Sequence, residues 1–168
     1  ELLKLVRLLG VKHLVAFALG AFIGSIDRFA TPKKLAAYFG LNPSVHRSGK
    51  GGGNGALANC GRSDVRSMLI QAAQSVIRYG QGNASRWAVA LKMRKGSCLA
   101  IAALARKLAV AVWYLMKGFF CPMTEISNTV RIKIHKIACA VGLIRIKELG
   151  YPTMVDFEKE KLKMLLST

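Results

Sequence analysis

Residues Leu41–Gly55 read LNPSVHRSGKGGGNG and interrupt a chain whose remaining pattern is mostly that of apolar and amphipathic helices. Five glycines follow Ser48 within seven positions. Because glycine has no Cβ, such a segment can adopt positive φ and bring its backbone close to a ligand. Arg47 and Lys50 add positive charge on either side of the serine. The stretch predicts a glycine-rich basic loop able to approach a phosphate, and a plain flexible linker is the alternative.

The charge balance of the chain indicates the kind of partner. Its 168 residues include 26 Lys and Arg but 8 Asp and Glu, for a net charge of +18. Between Arg28 and Lys117 there are 15 basic residues and a single acid, Asp64. Hydrophobic residues make up 52% of the sequence, which is enough for a folded domain with a core. So basic a folded surface indicates a polyanionic partner, of which nucleic acid is the commonest.

A membrane surface is the competing polyanion. The apolar run Leu14–Ile23 has about half the length needed to cross a bilayer. The second run, Cys98–Met116, carries Arg106 and Lys107 at its midpoint, where burial in lipid is costly. We therefore expect both runs to be core helices and expect no membrane partner. The cysteines are widely spaced without a C-x-x-C pair, which predicts neither a zinc site nor a disulfide framework and favours a reducing cytoplasm.

Helical periodicity predicts a mainly α fold, a compact helical domain that starts with a helix-hairpin-helix-like pair; a simple pair of core helices is the favoured alternative for this start. Thr31 and Pro32 form a helix start, and we expect Ser63 and Asn83 to cap two later helices. Residues 129–146 leave helix and strand both open because they are rich in β-branched side chains. The predicted helices are Leu2–Leu9, Lys12–Ile23, Lys33–Phe39, one from Ser63 through Val76, one from Asn83 to Lys95, Ser97–Lys117 and Asp156–Leu165.

Nucleophilic catalysis is the chemistry that the residue pattern leaves open. The acids are scattered and form no D-x-D or H-x-x-E cluster, so no metal site is predicted in this chain. Ser48 is the candidate nucleophile; a serine needs an activating base or metal and cations to stabilise charge on phosphorus. His46 would share a face with Ser48 in an extended segment by alternation alone. Four further cations have few acids to pair with and are predicted to contact phosphates or to be solvated: Arg62, Arg66, Arg106 and Lys107.

Several motifs in order give the chain a resemblance to a known family. They are RFxxPKKLAAYxGLxP from Arg28 to Pro43, Ser48-Gly49 with its glycine run, GRxxxR from Gly61 with LIQAA from Leu69, and ARKL with WY from Ala105 to Tyr114. Together they resemble the insertion-sequence transposases of the IS-one-ten and IS-eleven-eleven groups, relatives of the Piv DNA invertases. The resemblance covers about residues 2–117.

The resemblance implies a specific mechanism. Such proteins have an N-terminal RuvC-like domain whose acidic DEDD tetrad binds Mg²⁺, and a C-terminal domain whose serine attacks a DNA phosphodiester. The matching serine is Ser48, with Ser44 as the fallback. The family implies DNA and a structured bridge RNA as partners, homo-oligomers, and a bacterial cytoplasm close to the nucleoid. The metal-bound acids of the other domain would replace His46 as the activating group.

The sequence departs from the family pattern at three points. The RuvC-like domain is missing and the chain opens on Glu1, so we expect a C-terminal fragment that is inactive alone. Lys12 stands at the second glycine of the hairpin, and Arg62 at an asparagine. We predict a transposase C-terminal domain at 1–118 and a helical extension at 119–168. A non-catalytic basic DNA- or RNA-binding module, or an inactive remnant, is the alternative function.

Overall fold

The computed structural model describes residues 2–48, 51–57, 60–119, 121, 123 and 127–166, and their side chains except those of 2, 45–48, 51–56, 127–128 and 166. Helices account for most of these residues, which confirms the predicted fold class. The elements in order are α1 Leu2–Val6, α2 His13–Ile23, a 3-10 turn Ile26–Arg28, α3 Pro32–Tyr38, β1 Pro43–Ser48, β2 Gly51–Leu57, α4 Ser63–Tyr79, α5 Asn83–Lys95, α6 Ser97–Met116, α7 Ser127–Val141, α8 Leu143–Glu148 and α9 Met154–Leu166.

Helix α6 is the centre of the core, and α1, α3, α4 and α5 pack around it. Leu104, Leu108 and Val112 repeat every four residues and are fully buried. Alanines on the same helix let its neighbours approach closely. Among the described helices, α6 is the one with the length and composition of a membrane span, at a mean hydropathy of 1.7. Its packing against these four helices instead identifies it as the core helix that the sequence predicts.

Helix α4 follows its predicted apolar stripe, whereas two predicted caps are displaced by one residue. Thr31 does cap α3, because its hydroxyl accepts from the Lys34 amide at 3.3 Å. Arg62 and Gly82, however, are the N-caps of α4 and α5, and the predicted caps Ser63 and Asn83 are already helical. In α4 the orphan amide at Val65 is satisfied instead by the carboxylate of Asp64.

The turn between α1 and α2 packs on the protein. A Cβ on Gly10 would lie 2.8 Å from the carbonyl oxygen of Ala72 in α4, so only glycine fits this approach. The Leu9 amide donates to the Met123 carbonyl at 3.0 Å, and the Val11 amide donates to Leu8 at 3.2 Å. A core helix pair therefore describes this start better than a turn that presents these two amides to a DNA backbone.

The last three helices form two small apolar clusters beside the main core. Residues 129–146, left open between helix and strand, are helical in α7 and α8. Ile137 of α7 belongs to the main core. Lys133 is buried, and its Nζ donates to the carbonyls of Val6 and Leu8 at 3.0 and 3.1 Å. These bonds join α7 to the end of α1, while the division of the chain at residue 118 stays a prediction.

Candidate nucleic-acid interface

The serine-bearing stretch forms a hairpin where the sequence predicts a loop. Strands β1 and β2 pair antiparallel, with Ser48 opposite Gly51 and Arg47 opposite Gly52. Glycine is disfavoured in strands because it has no side chain to pack, so the pattern of β2 did not indicate a strand. The backbone pairing with β1, rather than a strand preference of its own residues, holds β2 in the extended conformation. Ser48 is the last residue of β1 and lies at the tip of the hairpin.

The register separates the two candidate serines. The pairing shifts between Pro43 and Val45, where β2 has one residue more than β1. Ser44 therefore lies at an irregularity near the base of the hairpin. At about 3.3 Å per residue, Ser44 and Ser48 are roughly 13 Å apart along the strand. One phosphodiester cannot sit beside both hydroxyls.

A close contact between two glycines joins the ends of the hairpin. Gly40 and Gly61 have φ of +68° and +82°, and a Cβ on Gly61 would lie 2.6 Å from the nitrogen of Gly40. Next to this contact the Arg62 amide donates to the Tyr38 carbonyl at 3.0 Å. The chain entering the hairpin and the chain leaving it are thus held backbone to backbone, which anchors both strands to α3 and α4.

Arg66 reinforces this base from α4. Its Nη1 lies within hydrogen-bonding range of the carbonyl oxygens of Gly40, at 3.4 Å, and Cys60, at 3.3 Å. One guanidinium therefore bridges the two strand-flanking segments. Nearby, the side-chain oxygen of Asn42 is buried and has no hydrogen-bond partner among the described residues.

Arg62 also has partners within the protein. Its guanidinium donates to Asp64 at 2.9 Å and lies 4.3 Å from the centre of the Phe22 ring. The hydrogen bond with Asp64 raises the pKa of Arg62 and, together with the Val65 amide, lowers the pKa of Asp64. The side chain of Arg66 thus stabilises the hairpin base, whereas that of Arg62 joins the start of α4 to α2; the predicted contact of both with nucleic acid stays a prediction.

Arg106 and Lys107 lie at the middle of α6, against α5. Lys107 is exposed, and its Nζ stands 4.4 Å from the centre of the Trp87 ring, a cation–π contact. Arg106 is half-buried. Residues 65–124, which include α4 from Val65 onward and all of α5 and α6, contain nine Lys and Arg and no acid. Lys107 therefore has no acid within its own segment to pair with, although Lys117 of the same segment pairs with Asp27.

The side chains of two predicted phosphate ligands are not among those that the structure describes. Arg47 is described by its backbone in β1, and Lys50 lies outside the described residues. The hydroxyl of Ser48 and the ring of His46 are likewise not described, although both residues are in β1. Their predicted roles follow from the sequence and from the resemblance.

The described acids do not form a magnesium site. Asp27 is paired with Lys117 at 2.6 Å, which lowers the pKa of Asp27, and Asp64 is paired with Arg62. The others lie on α8 and α9. Within the described ranges, no three His, Cys, Asp or Glu side chains are grouped to hold a metal ion. The resemblance implies that the RuvC-like domain holds the Mg²⁺, and no grouping of the described residues of this chain would hold the ion in its place.

Sequence reasoning missed the hairpin base and the Trp87 contact. Gly40 and Gly61 were visible as breaks after α3 and before α4, but nothing in the local pattern indicated that they touch. Trp87 was visible as an apolar residue of α5, and its partner Lys107 lies 20 positions further on in the numbering. A chemical signal did exist, since a glycine on each side of a candidate loop indicates a close backbone approach.

The fold and this surface define the chain as a basic, mainly helical domain that carries a glycine-rich hairpin. Residues 4–88 match the family model described as Transposase IS116/IS110/IS902 family. The match runs from α1 into α5 and includes the whole hairpin. The chain belongs to this family, which confirms the resemblance to insertion-sequence transposases.

Three relatives illustrate the match. The transposase for insertion sequence element IS1111A of Coxiella burnetii is 32% identical over 110 residues, which are 64% of this chain and 30% of the relative. A probable family 20 transposase of Pseudomonas aeruginosa is 30% identical over 121 residues, 70% of this chain and 36% of the relative. A putative transposase of Sinorhizobium fredii is 35% identical over 92 residues, 52% and 24% respectively. The chain thus covers about a third or less of these relatives' length.

Proposed function

We propose that this chain is the part of an insertion-sequence transposase that binds DNA and supplies Ser48 as the nucleophile for phosphodiester strand exchange. The position of Ser48 supports this most directly. It ends β1 opposite Gly51, at the tip of a hairpin whose base is anchored by the contact between Gly40 and Gly61. A strand of glycines beside it leaves no bulk to keep a DNA backbone away.

In the proposed step the hydroxyl oxygen of Ser48 attacks phosphorus, and a serine–phosphate bond forms as the bond from phosphorus to a deoxyribose oxygen breaks. The departing oxygen takes up a proton, and the serine proton is lost to a base. Arg47 and Lys50 stabilise the charge on the phosphoryl oxygens. Arg106 and Lys107 hold the adjoining nucleic acid through its phosphates. The Mg²⁺ ions and acids that would activate the serine belong to a RuvC-like domain in this proposal.

The same proposal includes the partners and the surroundings of the protein. DNA is the substrate and a structured bridge RNA the guide. A homo-oligomer would bring the acidic domain of one copy to the hairpin of another, in the bacterial cytoplasm close to the nucleoid. The charge of residues 65–124 supports a nucleic-acid partner. Its nine cations have no acid in the same segment, and although Lys117 pairs with Asp27, the group as a whole is repulsive unless a polyanion neutralises it.

Trapping of a covalent protein–DNA adduct tests the nucleophile. With the acidic domain supplied, we expect an adduct with wild-type protein and with Ser44→Ala, and none with Ser48→Ala. Ser44→Ala is the matched control because the same atom is removed from the same strand. An adduct that survives Ser48→Ala and disappears with Ser44→Ala would reverse the assignment.

A non-catalytic nucleic-acid-binding module is the second candidate, and the same run of nine cations favours it. It shares the salt-dependent affinity of the first candidate, so binding measurements alone do not separate them. The adduct assay does. Tight, salt-sensitive binding without an adduct, in the presence of the acidic domain, would favour the module.

A further inference from the structure

A cysteine, a histidine and a glutamate are aligned on α7 and α9, outside the residues that match the transposase family. Cys139 Sγ lies 3.6 Å from Nε2 of His135, one helical turn earlier on α7. The other ring nitrogen of His135, Nδ1, lies 2.8 Å from Oε1 of Glu158 on α9. The imidazole is therefore bound on one side by a thiol and on the other by a carboxylate.

The thiol and the imidazole are exposed, whereas the carboxylate is mostly shielded. Glu158 is mostly shielded, with 19% of its side chain exposed, whereas His135 is 60% exposed. Cys139 is exposed. A small molecule can therefore reach the sulfur, while the carboxylate that orients the ring is held where α7 and α9 pack together.

This order of groups is the arrangement of an activated nucleophile. A thiol beside a base, with the base oriented by a third group, is how proteins make cysteine reactive. A simple surface ion pair would account for His135 and Glu158 but not for the sulfur at Nε2. A metal site does not account for it either, since no metal-binding group of three such side chains is found among the described residues.

The other cysteines provide internal comparisons. Cys98 is exposed in the first turn of α6. Cys121 is buried, and burial raises the pKa of its thiol, which makes it a poor nucleophile at neutral pH. The chain thus holds an exposed reference thiol and a protected one.

We propose that Cys139 is a modification site that reacts with low-molecular-weight disulfides, with His135 as the proton acceptor and Glu158 as the positioning residue. Nε2 of His135 accepts the thiol proton, and Sγ attacks one sulfur of the disulfide. A new bond forms between Sγ and that sulfur as the original sulfur–sulfur bond breaks. The leaving thiolate takes the proton back from His135, so atoms and electrons balance without another oxidant.

The test follows the modification of each cysteine by glutathione disulfide, using mass spectrometry of peptides from the 168-residue chain. We expect Cys139 to react about fivefold faster in the wild type than in His135→Ala. This is a small part of the ~100-fold that an aligned base can supply, because the sulfur contact is long and exposed. Glu158→Gln should also lower the rate at Cys139.

Two controls separate chemistry from folding. The rate at Cys98 should be equal in all variants, since none of the substitutions is near α6 in the chain. Added imidazole should restore the rate at Cys139 in His135→Ala, which a merely structural role of His135 would not allow. Equal rates at Cys139 in wild type and His135→Ala, or a lost rate that imidazole does not restore, would overturn the proposal.

Discussion

Gly61 and Gly40 touch backbone to backbone, so that a Cβ on Gly61 would lie 2.6 Å from the nitrogen of Gly40. Both have positive φ, at +82° and +68°, a conformation that side chains oppose. The contact closes the base of the hairpin that ends in Ser48. Positioning of the proposed nucleophile therefore depends on two residues that carry no side chain and take no part in chemistry.

Gly61→Ala should lower the free energy of unfolding by about 2–4 kcal/mol, because a backbone clash adds to the strain of a positive φ. Urea denaturation measures the change. Gly150→Ala is the matched control: Gly150 has φ of +87°, but nothing lies within 4 Å of an added Cβ. The free energy of unfolding of the control should therefore fall by only about 1 kcal/mol, the strain of a side chain at positive φ. Equal losses in the two variants would show that the contact with Gly40 contributes nothing.

Arg66→Gln should destabilise the protein by about 1–2 kcal/mol, since the carbonyls of Gly40 and Cys60 lose a charged donor. The Arg62 amide, which donates to Tyr38 at the same base, should exchange its hydrogen faster. Hydrogen exchange read by NMR checks this. Arg78→Gln, an exposed change on the same helix, is the control. Weakened DNA binding with unchanged stability would instead assign Arg66 to phosphate contact.

Lys107→Gln should weaken DNA binding and reduce the slope of log affinity against log salt by about 1, as expected for the loss of one phosphate contact. The free energy of unfolding should fall by no more than about 1 kcal/mol, the contribution of an exposed cation–π contact such as that with Trp87. Fluorescence anisotropy over a range of salt concentrations gives the slope. Lys163→Gln makes the same charge change at an exposed site on α9 and should leave the slope unchanged.

Asp64→Asn should lower the free energy of unfolding near neutral pH, and this loss should shrink as the pH falls. The pKa of Asp64 is lowered in the folded state by Arg62 and by the Val65 amide. A lowered folded pKa stabilises the protein above the ordinary aspartate pKa of about 4, and this stabilisation is lost as the pH falls through the folded value. Urea unfolding should therefore separate wild type from Asp64→Asn at pH near 7. A difference that grows on acidification would contradict the pairing with Arg62.

The sequence predicted the helical part of the fold where the signal is local. In α4 the apolar residues recur at helical spacing and are buried as expected, because the face of a helix follows from spacing alone. The caps of α4 and α5 were wrong by one residue, since a first-turn side chain such as Asp64 can satisfy an amide that the cap leaves open. The hairpin was missed because a strand of glycines is ordered by its partner rather than by its own preference.

The candidate site also combines features that the sequence predicted with contacts that it did not. The positions of Ser48, Arg47 and Lys50 in one basic stretch were evident from the residues, and so were the excess charge and the motifs shared with insertion-sequence transposases. That Arg66 binds carbonyls of the hairpin base was not, because its partners Gly40 and Cys60 are brought to it by the fold.

By itself, then, the sequence determined most of the helices, the basic surface and the family, since each depends on composition or on residues close together in the chain. Only the tertiary structure decided which residues meet. It joined Gly40 to Gly61, Lys107 to Trp87 and His135 to Glu158, pairs separated by 20 or more positions. Such contacts are set by the packing of whole helices against one another, and no local pattern of side chains encodes them.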